Sequence, residues 1–226
     1  MDPLSTIAAI IAIVDSILST YSAIREIKGL PKAFEEVERN LPLVKETIEI
    51  AQRQLYCNAP GDAEIRAIEP VLKACESKLR ELNKILTGMK WKKKEDNGET
   101  KDWSSLAKFY HNVVVPMGKA HRVETLTSAI MKSLKALAIH QTFKAATEPL
   151  VRKLEEAING LSQVEPSIPD SDFETTGSTV SQTNNDHANG FLCTEGTMHN
   201  NVGGNFWKSD QNMNFGMDMS KIFSQQ

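Results

Sequence analysis

The side chains able to do acid–base, nucleophilic or metal chemistry are scattered along this 226-residue chain rather than grouped. The histidines are His111, His121, His140, His187 and His199. Metal ligands on a helix sit about one turn apart, and zinc sites built from Cys and His use short fixed spacings. None of these histidines has such a partner. Glu35-Glu36 and Glu155-Glu156 are paired carboxylates, but Arg and Lys stand beside them on polar helical positions. That is the pattern of a solvated face with i,i+4 ion pairs. Cys57, Cys75 and Cys193 form no CxxC pair, and their odd number argues against a disulfide framework. A reducing compartment fits better. Cys57 and Cys75 fall in helical stretches and read as small core residues, as His140 reads as a packing residue. No GxxxxGK[ST] or GxSxG pattern is present, and Gly203-Gly204 lies in a polar stretch rather than between a strand and a helix. The expectation is a chain with no catalytic residues, no metal and no cofactor.

Surfaces rather than sites carry the remaining chemistry. The first is Ile7 to Val14, an unbroken apolar run inside a longer segment whose only charges up to Leu18 are Asp2 and Asp15. Leu4, Ile7, Ile10, Ile11, Val14, Ile17 and Leu18 form its apolar set. Eight apolar residues without a preceding Lys or Arg do not make a secretory signal, and a spanning helix needs roughly 20. Two readings stand side by side: a helix buried at the centre of a bundle, or a helix that leaves the bundle for a bilayer. A buried apolar helix is what a switchable membrane-active domain would store, so the two are compatible. The second surface is Lys90-Trp91-Lys92-Lys93-Lys94, either a solvated loop or a contact with anionic lipid, with Trp91 at headgroup level.

The elements that position these residues follow from periodicity. Asp2-Pro3 starts a helix, and apolar residues recur every three or four positions to Ile24; Gly29 and Pro31 stop it. A second helix runs from about Pro31 to Leu55 with Phe34, Val37, Leu41, Val44 and Ile48 inward and Pro42 as a kink. After the Asn58–Gly61 turn a third carries Ile65, Ile68, Leu72, Cys75, Leu79, Leu82 and Leu86 and ends at Gly88. Residues 89–102 read as a charged, exposed loop. A fourth helix spans Trp103 to about Val115, a fifth about His121 to Ala146, and a last one starts at Thr147 and ends near Gly160. No alternating strand pattern interrupts them. The fold class expected is all-α, an antiparallel multi-helix bundle over residues 1–163.

Residues 164–226 are a different material. From Pro166 onward there are 2 Lys+Arg against 7 Asp+Glu, whereas residues 1–165 hold 24 against 22. Neither balance argues for nucleic acid. Of the last 61 residues, 31 are Ser, Thr, Asn, Gln or Gly. Such a segment buries too little apolar area to offset its chain entropy and is expected to be disordered alone. Within it, residues of about 190–219 place aromatics beside asparagines: Gly196, Asn200, Val202, Gly204, Asn205, Phe206 and Trp207, then Asn212, Asn214, Phe215 and Gly216. Asn-rich stretches with aromatics favour cross-β stacking. The segment reads either as an inert linker or as a motif that folds by templating on a like motif.

Met1-Asp-Pro-Leu-Ser-Thr-Ile-Ala-Ala-Ile-Ile-Ala-Ile-Val-Asp15, Tyr21 to Pro31 and Phe34-Glu-Glu-Val-Glu38 resemble the opening of the SesA-type domain, found at the N-terminus of fungal NACHT and other P-loop NTPases, the fungal counterparts of NOD-like receptors. The resemblance extends over about residues 1–160. It is related in role to the HeLo and HeLo-like bundles of fungal programmed cell death, some of which carry a Gly/Asn-rich prion-forming motif. The tail is similar to such motifs in composition and departs from them in irregular spacing and in Lys208 and Asp210. The resemblance implies a heterokaryon-incompatibility-type death effector or regulator. It would self-associate, meet a cognate NOD-like receptor or like motif through its tail, and move from cytoplasm to membrane on activation. The alternative is a helical interaction module or adaptor with no membrane activity.

Overall fold

The structure, a computed structural model, describes residues 2–57, 60–95, 102–174, 190–194, 197–202 and 205–208. It divides into a helical unit, residues 1–176, and a second unit, residues 177–226.

In the helical unit, α1 (Pro3–Ile24) starts where predicted. The Asp2 carboxylate accepts from Leu4 N at 3.2 Å and Ser5 N at 3.0 Å, and Pro3 occupies the first turn, where no N–H is needed. The Ser5 hydroxyl, then the Leu4 amide, hold the Asp2 carboxyl below its usual range. Helix α2 (Lys32–Cys57) follows, with Pro42 inside it, and α3 (Asp62–Glu95) is the longest. Then come α4 (Trp103–Val114), two short 3-10 turns at Val115–Met117 and Lys119–His121, α5 (Val123–Ala138), α6 (Lys144–Gln163) and the single turn α7 (Ser171–Glu174).

Helix α1 packs on α2 and α3, α5 on α2, α3 and α6, and α6 also on α2. Short connections make α1/α2 and α5/α6 antiparallel. Helices α1 and α3 are parallel: Ser16 meets Asn83 and Ala23 meets Lys93, so contacts advance together along both. The core they enclose includes Ile7, Ile10, Val14, Ile17, Phe34, Leu41, Val44, Ile48, Leu79, Leu82 and Leu134, each fully buried. A triad of rings, Phe34, Trp103 and Tyr110, with centroids 5.2–5.6 Å apart, ties α4 to α2.

Three boundaries differ from the sequence expectation. Helix α3 does not end at Gly88, and residues 89–95 are helix rather than loop. Gly88 is there for packing: a Cβ would lie 2.9 Å from Phe109 Cζ. Met89 beyond it is buried, which anchors the extra turns. The fifth helix stops at Ala138, not Ala146, and α6 begins at Lys144. The Thr147 hydroxyl donates to Ala138 O at 2.6 Å, satisfying a helix-end carbonyl, and Phe143 is buried between the two helices. Cys75 is buried as expected, whereas Cys57 is exposed.

The second unit is described in three strands, β1 (Gly190–Thr194), β2 (Thr197–Val202) and β3 (Asn205–Lys208), paired antiparallel in that order. Phe191 stands opposite Asn200, and Asn200 opposite Trp207. Phe191, Val202, Phe206 and Trp207, β-formers of the segment, fall in these three runs.

Candidate functional site

The apolar set of α1 divides by helical geometry. Ile7, Ile10, Val14 and Ile17 are fully buried and continue into Tyr21 and Ile24. Leu4, Ile11 and Leu18 are half-buried at the margins. The outward face, Ser5, Ala8, Ala12, Asp15, Ser16, Ser19 and Ser22, is exposed and carries one charge. Asp15 pairs with Lys45 of α2 at 2.7 Å, and this bond raises the Lys45 ammonium above its ordinary value. By length and composition α1 suffices to cross a membrane, the one such helix among the described residues. Its mean hydropathy is 1.9 over 18 residues, of which 44% are buried.

Two features at the inner end of α1 reach neighbouring helices. The Tyr21 hydroxyl is buried with no hydrogen-bond partner, and burial pushes its ionisation well above the usual value. An orphaned hydroxyl costs about 1–3 kcal/mol, so the Tyr21 side chain is held by packing of its ring. The Lys93 ammonium of α3 donates to Ala23 O at 2.6 Å. Ala23 O is one of the last carbonyls of α1, which have no partner within the helix. Of the predicted lipid-contact residues, Lys90, Trp91, Lys92 and Lys93 lie in the last turns of α3. Lys90 and Trp91 are exposed, Trp91 at 58%. The Lys94 backbone continues the helix, and its side chain lies outside the description.

A second constellation has no counterpart in the sequence expectations. After α6 the chain returns across the junction of α4 and α5. Ser167 Oγ and Tyr110 Oη lie 2.7 Å apart, Ser167 N donates to Glu124 Oε1 at 3.1 Å, and Val123 N donates to Tyr110 Oη at 3.2 Å. Arg122 pairs with Asp170 and lies 4.7 Å from the centre of the Phe173 ring. This pairing holds the Asp170 carboxyl below its usual range. Residues 167–173 thus form a strap, and Ile168 within it is buried. Ile168, an isolated apolar residue between Pro166 and Pro169, is a signal from which this docking could have been read.

The described residues hold no group of three or more His, Cys, Asp or Glu placed to bind a metal. His111 faces Asp172 at 3.4 Å and His121 faces Glu81 at 3.3 Å, two separate pairs. Burial pushes the Cys75 thiol up to about 12, which makes it a poor nucleophile. A shallow groove of about 210 Å³ between α5 and α6 is lined by Glu124, Ser128, Lys132 and Leu161 among others.

Of the residues expected to form the tail motif, Asn200 and Val202 fall in β2, and Asn205, Phe206 and Trp207 in β3. Gly196, Gly204, Asn212, Asn214, Phe215 and Gly216 lie outside the described residues.

Comparison with curated proteins and with solved structures gives no match. Comparison with families gives one: the sequence model of SesA, described as the N-terminal domain on NACHT NTPases and P-loop NTPases, matches residues 7–137. The match begins within α1, ends in the last turn of α5 and takes in more than half of the chain, so this protein belongs to the SesA family.

Proposed function

We propose that this chain is a non-enzymatic signalling module working in the context of a NACHT-type NTPase, and that its output is the entry of α1 into a membrane once several copies are brought together. The family supports the first half, since SesA domains stand on NACHT and P-loop NTPases. The single observation that carries the membrane step is α1 itself: 22 residues long, with Asp15 its only charge and less than half of its apolar window buried. One apolar face would suffice for the core. The outward face, four Ser and two Ala with Asp15, is small and almost uncharged, so little on it opposes entry into a bilayer.

Magnitudes set the terms of release. Fully burying a large apolar side chain contributes about 1.5–3 kcal/mol. Ile7, Ile10, Val14, Ile17, Tyr21 and Ile24 together place the grip on α1 on the order of 10 kcal/mol, as large as the whole stability of an ordinary domain. A lone cytoplasmic molecule would therefore keep α1 in place. Bilayer insertion would rebury both faces and offset the loss, and assembly would concentrate the domains. In this reading the tail segment of about 190–219 receives the signal from a cognate receptor or a like motif, and the outcome is cell death. Strand edges in β1 and β3 are the kind of backbone surface that accepts another strand.

The test is dye release from liposomes by the purified full-length chain, with and without pre-formed fibrils of a 166–226 peptide. Release that depends on fibrils is expected. Intact vesicles under both conditions sink the membrane step. A second reading, an adaptor that binds a partner through a helix face, draws on the complete burial of Ile7, Ile10, Val14 and Ile17. It gains if hydrogen exchange finds α1 the slowest-opening helix even after assembly.

A further inference from the structure

We infer that the end of the bundle where α1 and α3 finish is a docking surface for anionic lipid, and that Lys93 couples docking there to loosening of α1. The inference rests on the proposed membrane role of α1 and assigns its point of first contact.

Because α1 and α3 run parallel, their C-termini lie together, as the bond from Lys93 to Ala23 shows. The chain that leaves α1 stays at this end: Trp103 N donates to Lys28 O at 2.8 Å, and the backbones of Lys28 and Asp102 pair in an isolated β-bridge. Tertiary structure thus brings the segment of Arg25 and Lys28 to the same end of the bundle as the segment of Lys90, Lys92 and Lys93. Arg25, Lys28 and Lys90 are exposed, and the indole of Trp91 is exposed among them. The acids placed at this end are Glu26, Glu95, whose backbone closes α3, and Asp102, and Asp102 is engaged as the N-cap of α4, accepting from Ser105 N. Clustered lysines with an aromatic at headgroup depth are the chemistry that anionic bilayers recognise.

Lys93 adds the coupling. It satisfies a carbonyl at the end of α1 from a neighbouring helix. A lipid phosphate or carboxylate competes for the same ammonium, and a charged acceptor makes the stronger bond. Drawing Lys93 toward the headgroups leaves Ala23 O without its partner and frees the last turn of α1. Basic residues at two helix C-termini also complement the helix dipoles, a purely structural role. The experiment separates the two.

Full-length protein is sedimented with phosphatidylcholine vesicles and with vesicles containing 30% phosphatidylserine, while hydrogen exchange follows residues 20–28. Each lysine near an anionic surface is worth about fivefold in partitioning, from about 1 kcal/mol. Lys28→Gln with Lys90→Gln, both exposed, should therefore weaken phosphatidylserine-dependent binding roughly 25-fold with circular dichroism unchanged. Anionic vesicles should speed exchange at the end of α1 in the parent protein. Lys93→Met should show that faster exchange without vesicles and gain little more from them. Equal binding to both vesicles, or anionic binding indifferent to Lys28 and Lys90, overturns the docking surface. Binding with unchanged exchange in residues 20–28 overturns the coupling. Failure of the proposed function looks different: lysine-dependent binding without dye release leaves the docking surface standing. Dye release from neutral vesicles, unaffected by Lys28→Gln and Lys90→Gln, keeps the function and discards the surface.

Discussion

Helices α1 and α2 lie side by side, and each buries one face in the same core, yet they differ on the face turned away. In α2, Lys32, Glu35, Glu38, Glu46 and Arg53 are among the charges that keep the rest of the helix polar. In α1 the corresponding positions are Ala and Ser with Asp15 alone. The core asks the same of both, so their inner faces match. What lies beyond the core's demand is where α1 departs, and that lack of charge is the feature that calls for a functional explanation.

The comparison breaks if the inner faces prove unequal. Ile10→Ala in α1 and Ile48→Ala in α2 remove side chains that are both fully buried, and each should cost about 2–5 kcal/mol in denaturant unfolding. A negligible cost at Ile10 beside a full one at Ile48 would mean that α1 is only loosely held at rest.

The outer faces sharpen it. Ala12→Lys on α1 is exposed, so stability should change by less than about 0.5 kcal/mol. A lysine near the centre of an inserted helix costs about 3 kcal/mol, so dye release should fall by about a hundredfold. Glu46→Lys on the outer face of α2 should leave release unchanged. Equal effects from the two would remove the distinction between the helices.

Smaller effects test the neighbours that hold α1's partners in place. Gly88→Val drives a side chain toward Phe109 and should cost about 1–3 kcal/mol, read as a lower Tm. Asp170→Asn removes the partner of Arg122, and exchange in residues 167–173 should quicken several-fold with little change in Tm. The pH dependence has a definite sign. The Asp170 carboxyl is lowered in the fold from its ordinary 3.8, so its contribution is complete above that value and is lost as pH falls below it. At such acid pH the strap of the parent protein should exchange like that of the variant, and at neutral pH it should not.

Much of this was legible in order of residues. Asp2-Pro3 and the spacing from Leu4 to Ile24 specify α1, because capping and a 3.6-residue period are local. The inward residues of α2 and of most of α3 follow in the same way. The end of α3 was not legible, because glycine usually stops a helix and the reason it does not at Gly88 sits on α4. The break between Ala138 and Lys144 carries neither Gly nor Pro. It depends on Thr147 and on a core slot for Phe143. The strap looked like a linker, since Ser167 and Asp170 acquire meaning only beside Tyr110, Glu124 and Arg122.

Sequence by itself determined that the first 160 or so residues would be amphipathic helices, that the first helix would be almost without charge, and that the tail would be made of other material. Those are properties of composition and of short periods, and they need no partner. Tertiary structure alone decided that α1 and α3 run parallel, that Lys93 closes the end of α1, and that Arg25 and Lys28 come to the same end of the bundle as the last turns of α3. Periodicity says which face of a helix is apolar. Which neighbour covers that face, and in which direction it runs, is settled by packing between residues some 70 positions apart.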